Sequence, residues 1–251
     1  MSIDSQISDI NESKPRVGLW ISIPDRLSIE TVGRAGYDFV ILDGQHGGIG
    51  SEAIMSAIQT LDLAGVPSFM RVQSNDPAQI MRALDLGACG VIVPLVNNAE
   101  QARTAARSCH YPPLGDRSFG PVRSSYVTDG SKEAKALCFV MIETVEAMEN
   151  LEAIANTLGV AGLFLGPVDL GLSMGLSVAE ALRFPEPVMA AVKRIVSVCA
   201  QQGLVAGCPA FGLKNGQELH ACGITFLPLG ADLGLLRRAA AADLAEARAW
   251  P

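Results

Sequence analysis

The chain has 251 residues, 49% hydrophobic and only 5% aromatic, a composition that suits a soluble α/β protein with a large aliphatic core. A formal charge of −7 argues against a polyanionic partner, because phosphate backbones need clustered Lys and Arg. No apolar run reaches the roughly 18 residues of a membrane span, and the acidic start MSIDSQISDINESKPR lacks a signal-peptide core, so residues 1–15 read as a frayed arm and the compartment as the cytoplasm.

Apolar runs and helical patterns then alternate along the chain. RVGLWISI from Arg16 predicts the first strand, and FVILD from Phe39 the second, which runs straight into DGQHGG. PSFMRV from Pro67 and GVIVPLV from Gly90 predict the third and fourth. LCFVMIE from Leu137, GLFLGPVDL from Gly162, LVAGCPA from Leu204 and ITFLPLG from Ile224 complete eight. Between them SEAIMSAIQTLDLAG, DPAQIMRALDLG and AMENLEAIANTLG have helical spacing, and several such stretches open on Ser, Asp or Asn and close on Gly. Strands that are near-continuous apolar runs belong to a parallel sheet covered on its outer face. Eight strand–helix units in one chain of this length favour a single (β/α)8 TIM barrel over residues 16–251. A doubly wound sheet would need a Gly-rich phosphate turn after its first strand, and ISIPDRLSIE has no glycine there. Two connections are long, from His110 to Ser131 and from Gly171 to Pro185.

The barrel reading gives the polar strand ends a meaning, since catalytic groups of such barrels sit where strands finish. Asp43, Gln45 and His46 follow strand two, Arg71 ends strand three, Asn97 follows strand four, Glu143 closes strand five and Asp169 strand six. Each alone has a structural reading: a strand-end Asp caps the next helix, Arg71 pairs with a carboxylate, and Asp169 in GPVDLGLSMG makes an Asx turn. Their gathering on one rim favours a site. Strands five and six are neighbours about 4.8 Å apart, so Glu143 and Asp169 at matching heights can share one cation. Hard oxygen donors without His or Cys suit Mg²⁺ or Mn²⁺.

Other chemistries find no support. None of the five lysines (Lys14, Lys132, Lys135, Lys193, Lys214) lies in a predicted strand, so Schiff-base chemistry inside the barrel is excluded. No GxSxG elbow or Walker A loop occurs. The six cysteines are far apart without a CxxC pair and read as reduced thiols rather than zinc ligands or disulfides.

Five collinear blocks, GLWISIPDRLSIETVGRAGYDFVILDGQHG, RALDLGACGVIVPLVNNAEQA, HYPPLGDRSFG, VMIETVEAMENL and GLFLGPVDLGLSMG, resemble the HpcH/HpaI-type metal-dependent (class II) pyruvate aldolases, typified by 4-hydroxy-2-oxoheptanedioate aldolase. The likeness runs from Arg16 to the closing GADLGLLRRA. It implies a (β/α)8 barrel assembled as a hexamer, a trimer of dimers that exchange their last helix. It also implies reversible cleavage of a 4-hydroxy-2-oxo acid to pyruvate and an aldehyde with Mg²⁺, Mn²⁺ or Co²⁺. By motif position Glu143 and Asp169 would be the metal ligands, His46 the base, Arg71 the group stabilising the enolate, and Asp85 the acid that raises the basicity of His46. Gly166 and Val168 would receive the substrate carboxylate, with Asp43 and Gln45 behind the first contacts. Two positions depart from the family pattern: Gln45 replaces the usual glutamate of DGEH, and Met141 replaces a substrate-contacting glutamine. Asp85 ends a helix that runs away from the rim, so to reach His46 it must come from a neighbouring subunit. A citramalyl- or malyl-CoA-type lyase would need basic residues for coenzyme A, and the rim offers few. A non-catalytic barrel serving as a binding module would lose at least one of His46, Arg71, Glu143 and Asp169, and all four are present.

Overall fold

The computed structural model describes residues 14–127 and 136–250; most of the expected N-terminal arm, together with Lys132 and Lys135, lies outside them. Eight parallel strands close into a barrel in chain order. They are β1 (Arg16–Ile21), β2 (Phe39–Asp43), β3 (Ser68–Arg71), β4 (Gly90–Val93), β5 (Leu137–Ile142), β6 (Gly162–Leu165), β7 (Val205–Gly207) and β8 (Phe226–Ala231), with β8 pairing back onto β1. This is the expected (β/α)8 TIM barrel. Among the described residues no helix is long and apolar enough to cross a membrane.

Several strands are shorter than their apolar runs, for stated reasons. Pro94 cannot donate to a ladder, and β4 stops at Val93 before it. Pro167 takes the first turn of the helix Pro167–Ser173, where its missing N–H costs nothing, so β6 ends at Leu165. Asp169 therefore lies in a helix just past the strand, not at the strand end. The stretch AMENLEAIANTLG is two short helices, Val145–Glu149 and Leu151–Ala155. Asn150 divides them: its side-chain amide donates to the Asn97 carbonyl across the rim (3.0 Å) and to Glu146 O (3.1 Å), tying the junction to the β4 loop. Asp76 caps Pro77–Asp85 by accepting from Ala78 N, as its sequence predicts.

The barrel interior is plugged by rings. Phe226 stacks on Phe39 (centroids 3.9 Å) and on Phe139 (4.7 Å), while Phe69 and Phe164 meet it edge-on. Glycines make the room: a Cβ on Gly18 would lie 2.2 Å from the Phe39 ring, and one on Gly162 2.5 Å from Phe139. The plug is apolar and sealed, so substrate-sized space and polar groups are left to the rim at the strands' C-terminal ends.

Candidate active site

The β2–β3 register pairs Asp43 with Arg71. Their side chains form a two-point ion pair, Arg71 Nε to Asp43 Oδ1 at 2.9 Å and Nη2 to Oδ2 at 2.7 Å. The guanidinium also lies over the Trp20 indole from β1, 4.6 Å from its centroid. Asp43 Oδ1 further accepts from the backbone N–H groups of Gln45 and His46, both at 3.1 Å. Burial would raise the Asp43 carboxyl, but Arg71's hydrogen bonds and charge, with those two N–H groups, outweigh it and hold the group below its usual value. The turn that carries His46 is thus folded around a fixed anion. Close packing demands its glycines: a Cβ on Gly44 would lie 2.4 Å from the Met70 methyl and 2.8 Å from Arg71 O. His46 is exposed on the rim.

Across the mouth, Glu143 follows β5 and Gly166 follows β6, opposite one another because Ile142 pairs with Leu165. Glu143 is 3% exposed, and its Oε1 accepts the Leu95 N–H at 2.7 Å. Leu95 has φ 53°, a left-handed conformation that is strained for leucine and that aims this N–H at the carboxylate. Glu143 Oε2 occupies the space beside Gly166, where a Cβ would lie 2.5 Å from it. Burial pushes the Glu143 carboxyl above its usual range and the negative charge of Asp169 adds to the rise, opposed by the Leu95 N–H and by the charge of Arg71. Asp169 is exposed and close enough to repel Glu143. Asn97 works as a tie, accepting from Thr144 Oγ1 at 2.6 Å.

The structure therefore brings Asp43, Gln45, His46, Arg71, Glu143, Gly166 and Asp169 to one rim. Gly166 contributes its missing side chain, since its N–H is committed to Ile142 O (3.1 Å), whereas the first-turn N–H groups of Val168 and Asp169 have no partner within their helix. Met141 is 3% exposed and belongs to the barrel interior, with its methyl 3.2 Å from a Cβ built on Gly166. Asp85 is not brought to His46 within the chain; it pairs with Arg117 at 2.7 Å. Sequence reasoning missed Trp20, Leu95 and Arg117. A tryptophan ending an apolar strand is a weak cue, and nothing in PLVNN marks a leucine with positive φ.

The donor set fits a hard divalent cation. Glu143 and Asp169 lie close enough for their charges to interact, and Gly166 leaves the Glu143 carboxylate room. Among the described residues no cluster of three or more His, Cys, Asp or Glu could hold a metal.

The sequence profile of the HpcH/HpaI aldolase/citrate lyase family matches residues 16–239. A hydroxypyruvate/pyruvate aldolase of Rhizorhabdus wittichii is 35% identical over 248 residues, covering 95% of this chain and 96% of the relative. A 4-hydroxy-2-oxo-heptane-1,7-dioate aldolase of Escherichia coli is 33% identical over 240 residues, covering 93% and 90%. The crystal structure of an HpcH/HpaI aldolase/citrate lyase family protein from Burkholderia cenocepacia superposes with a TM-score of 0.87 at 27% identity, over 98% of this chain and 99% of that one.

Proposed function

Because the chain belongs to the HpcH/HpaI aldolase/citrate lyase family, we propose that it is a carbon–carbon lyase, a divalent-metal-dependent aldolase that reversibly cleaves a 4-hydroxy-2-oxo acid to pyruvate, or a close 2-oxo acid, and an aldehyde. The observation that carries the reading is the pairing of a Glu143–Asp169 carboxylate couple with the fixed cation of Arg71 on one rim. Mg²⁺, Mn²⁺ or Co²⁺ held by Glu143 and Asp169 would supply the charge that polarises a 2-oxo carbonyl.

The other steps belong to the chain's own groups. Arg71 offers positive charge where the enolate oxygen develops, and its two bonds to Asp43 and its seat on Trp20 fix it before substrate arrives. His46 takes the proton of the 4-hydroxyl in cleavage and the C3 proton of pyruvate in synthesis. The N–H of Val168 receives the substrate carboxylate beside Gly166, while Met141, buried in the barrel interior, lies beneath it. Gln45 leaves this rim one negative charge poorer than the glutamate of the family pattern.

The assembly reading has its own support. The helix Asp232–Arg248 has 17 residues, and Asp232 is its only buried one, although a surface helix normally buries an apolar stripe. Leu233, Leu236 and Leu244 stay exposed. Exchange of this helix between subunits of a hexamer would cover them, and residues from Arg16 onward would form one domain. Free thiols at all six cysteines support a cytoplasmic setting.

The deciding experiment assays pyruvate release from a panel of 4-hydroxy-2-oxo acids, with several divalent metals and with chelator. Metal-restored activity on one or more substrates supports the reading. Full activity after exhaustive chelation would overturn the metal-dependent mechanism.

A further inference from the structure

Where β1 and β8 stop pairing, a carboxylate takes over from the ladder. Trp20 of β1 pairs with Ala231 of β8, and β1 ends one residue later at Ile21. The next two N–H groups turn to Asp232, the first residue of the helix Asp232–Arg248. Ser22 N donates to Asp232 Oδ1 (3.0 Å) and Oδ2 (3.1 Å), and Ile23 N to Oδ2 (3.0 Å). Leu233 N adds a bond to Oδ1 at 2.7 Å. Asp232 is 4% exposed, and no cation pairs with it among the described residues. Only the Leu233 bond serves the start of its own helix, which an exposed polar side chain could satisfy. Burying an anion is costly, and here the cost is offset by N–H groups 210 and 209 positions earlier in the chain.

The segment that Asp232 fixes is the one on which the end of the His46 turn hangs. Gly48 N donates to Ser22 O at 2.8 Å. The two pieces of chain are also in close contact: a Cβ on Gly47 would lie 3.0 Å from Ser22 Cα, and one on Gly48 3.0 Å from Pro24 Cδ. The turn thus has two anchors. Asp43 accepts the N–H groups of Gln45 and His46 at its start, and Ser22 O accepts that of Gly48 at its end. The His46 ring is exposed and makes no hydrogen bond among the described residues, so the turn backbone sets where it stands. The anchors differ in what else they hold. Asp43 also fixes Arg71, whereas the Trp20 seat of Arg71 is already secured by the β1–β8 ladder before Asp232 is reached.

We propose that Asp232 is a positioning residue for His46. Its carboxylate clamps residues 22 and 23, Ser22 clamps Gly48, and His46 is held two residues from that last bond. The consequence for proton transfer rests on the aldolase reading above; the mechanical link does not.

Hydrogen exchange on the full chain, in chelator and without substrate, reads the link itself. Asp232→Asn keeps the shape of the side chain but sets an NH2 group against backbone N–H donors. Amide exchange should quicken by about fivefold or more over residues 22–23 and 44–50, with β5 and β6 at parental rates. Parental exchange at 44–50, or acceleration spread evenly over the barrel, overturns the link whatever the chain catalyses. In turnover, kcat of Asp232→Asn for pyruvate release should fall by about tenfold or more, while KM and the inhibition constant of pyruvate move by less than about threefold. A raised KM with kcat kept overturns the role toward His46. If the parent releases pyruvate from no 4-hydroxy-2-oxo acid, the aldolase reading fails and hydrogen exchange alone decides the link. A merely structural role is separated by double variants. In a His46→Ala background Asp232→Asn should cost less than about twofold further in kcat, and with Arg71→Lys the two losses should multiply. Losses that multiply in both backgrounds overturn the proposal. Should Asp232→Asn fail to fold, Asp232→Glu, which keeps the charge but moves it by one methylene, carries the same exchange and kinetic tests.

Discussion

Two pairs of neighbouring strands on one rim treat charge in opposite ways. Between β2 and β3, Asp43 and Arg71 neutralise each other through two hydrogen bonds, and the acid is held below its usual pKa. Beyond β5 and β6, Glu143 feels the charge of Asp169 and has no ion pair among the described residues, and burial together with that neighbour pushes it up against the weaker pull of Arg71. One pair is finished as it stands. The other gains a partner only by taking up a cation from outside, which is why the second pair is where a metal ion is proposed and the first is where a fixed positive charge is offered to substrate.

The largest effect that separates the pairs is on turnover. Asp169→Asn or Glu143→Gln should abolish pyruvate release while each variant still folds. In β2–β3, Arg71→Lys should lower kcat by about 10²-fold with a smaller change in KM, because a point charge cannot keep both bonds to Asp43 or the flat seat on Trp20. Steady-state kinetics with saturating metal checks both. A variant lacking Asp169 that still turns over in chelator would remove the distinction between the pairs.

Much of this was legible before any coordinates. Near-continuous apolar runs gave the strand count and order, and the polar residues at their ends gave Asp43, Arg71 and Glu143, because a buried parallel strand has few reasons to finish on a charge. Legibility failed where backbone geometry or distance decided the outcome. The run GLFLGPVDL looks like one strand because Val168 and Leu170 are apolar, yet Pro167 starts a helix there. The break at Asn150 depends on reaching the Asn97 carbonyl, 53 positions earlier in the chain. Leu95 was invisible because leucine does not advertise a positive φ, and Arg117 because spacing does not say which acid it will find.

A smaller effect is expected on stability, and here the two pairs should differ in sign. Asp43→Asn leaves Arg71 partly buried beside a neutral group, and breaking such a pair costs about 3–5 kcal/mol. The folded pKa of Asp43 lies below its unfolded value near 3.8, so the stabilisation is present above that pH and is lost as pH falls through the depressed value. Thermal melts from pH 7 downward should show the gap between parent and Asp43→Asn closing only in strong acid. A gap that is flat with pH would mean the pair is not what holds the turn.

The smallest effect is the counterpart at Glu143, and it should favour the variant. Glu143→Gln keeps an oxygen to accept the Leu95 N–H but removes the charge that burial and Asp169 oppose. The folded pKa of Glu143 lies above its unfolded value near 4.5, so the ionised carboxylate destabilises the fold at pH values above the raised pKa, and the penalty disappears below 4.5. Without metal, Glu143→Gln should therefore melt higher than the parent at pH 8, by on the order of 2–4 °C for each kcal/mol relieved in a chain of this size. The gap should close as pH falls toward 4.5. Added Mg²⁺ or Mn²⁺ should reverse the order, since a cation that binds the folded parent stabilises it by mass action and finds one ligand fewer in the variant. Calorimetric melts in chelator and in excess metal would show this crossing. If the parent melts higher than Glu143→Gln in both, Glu143 is a structural acid and the two strand pairs do not differ in the way their charges suggest.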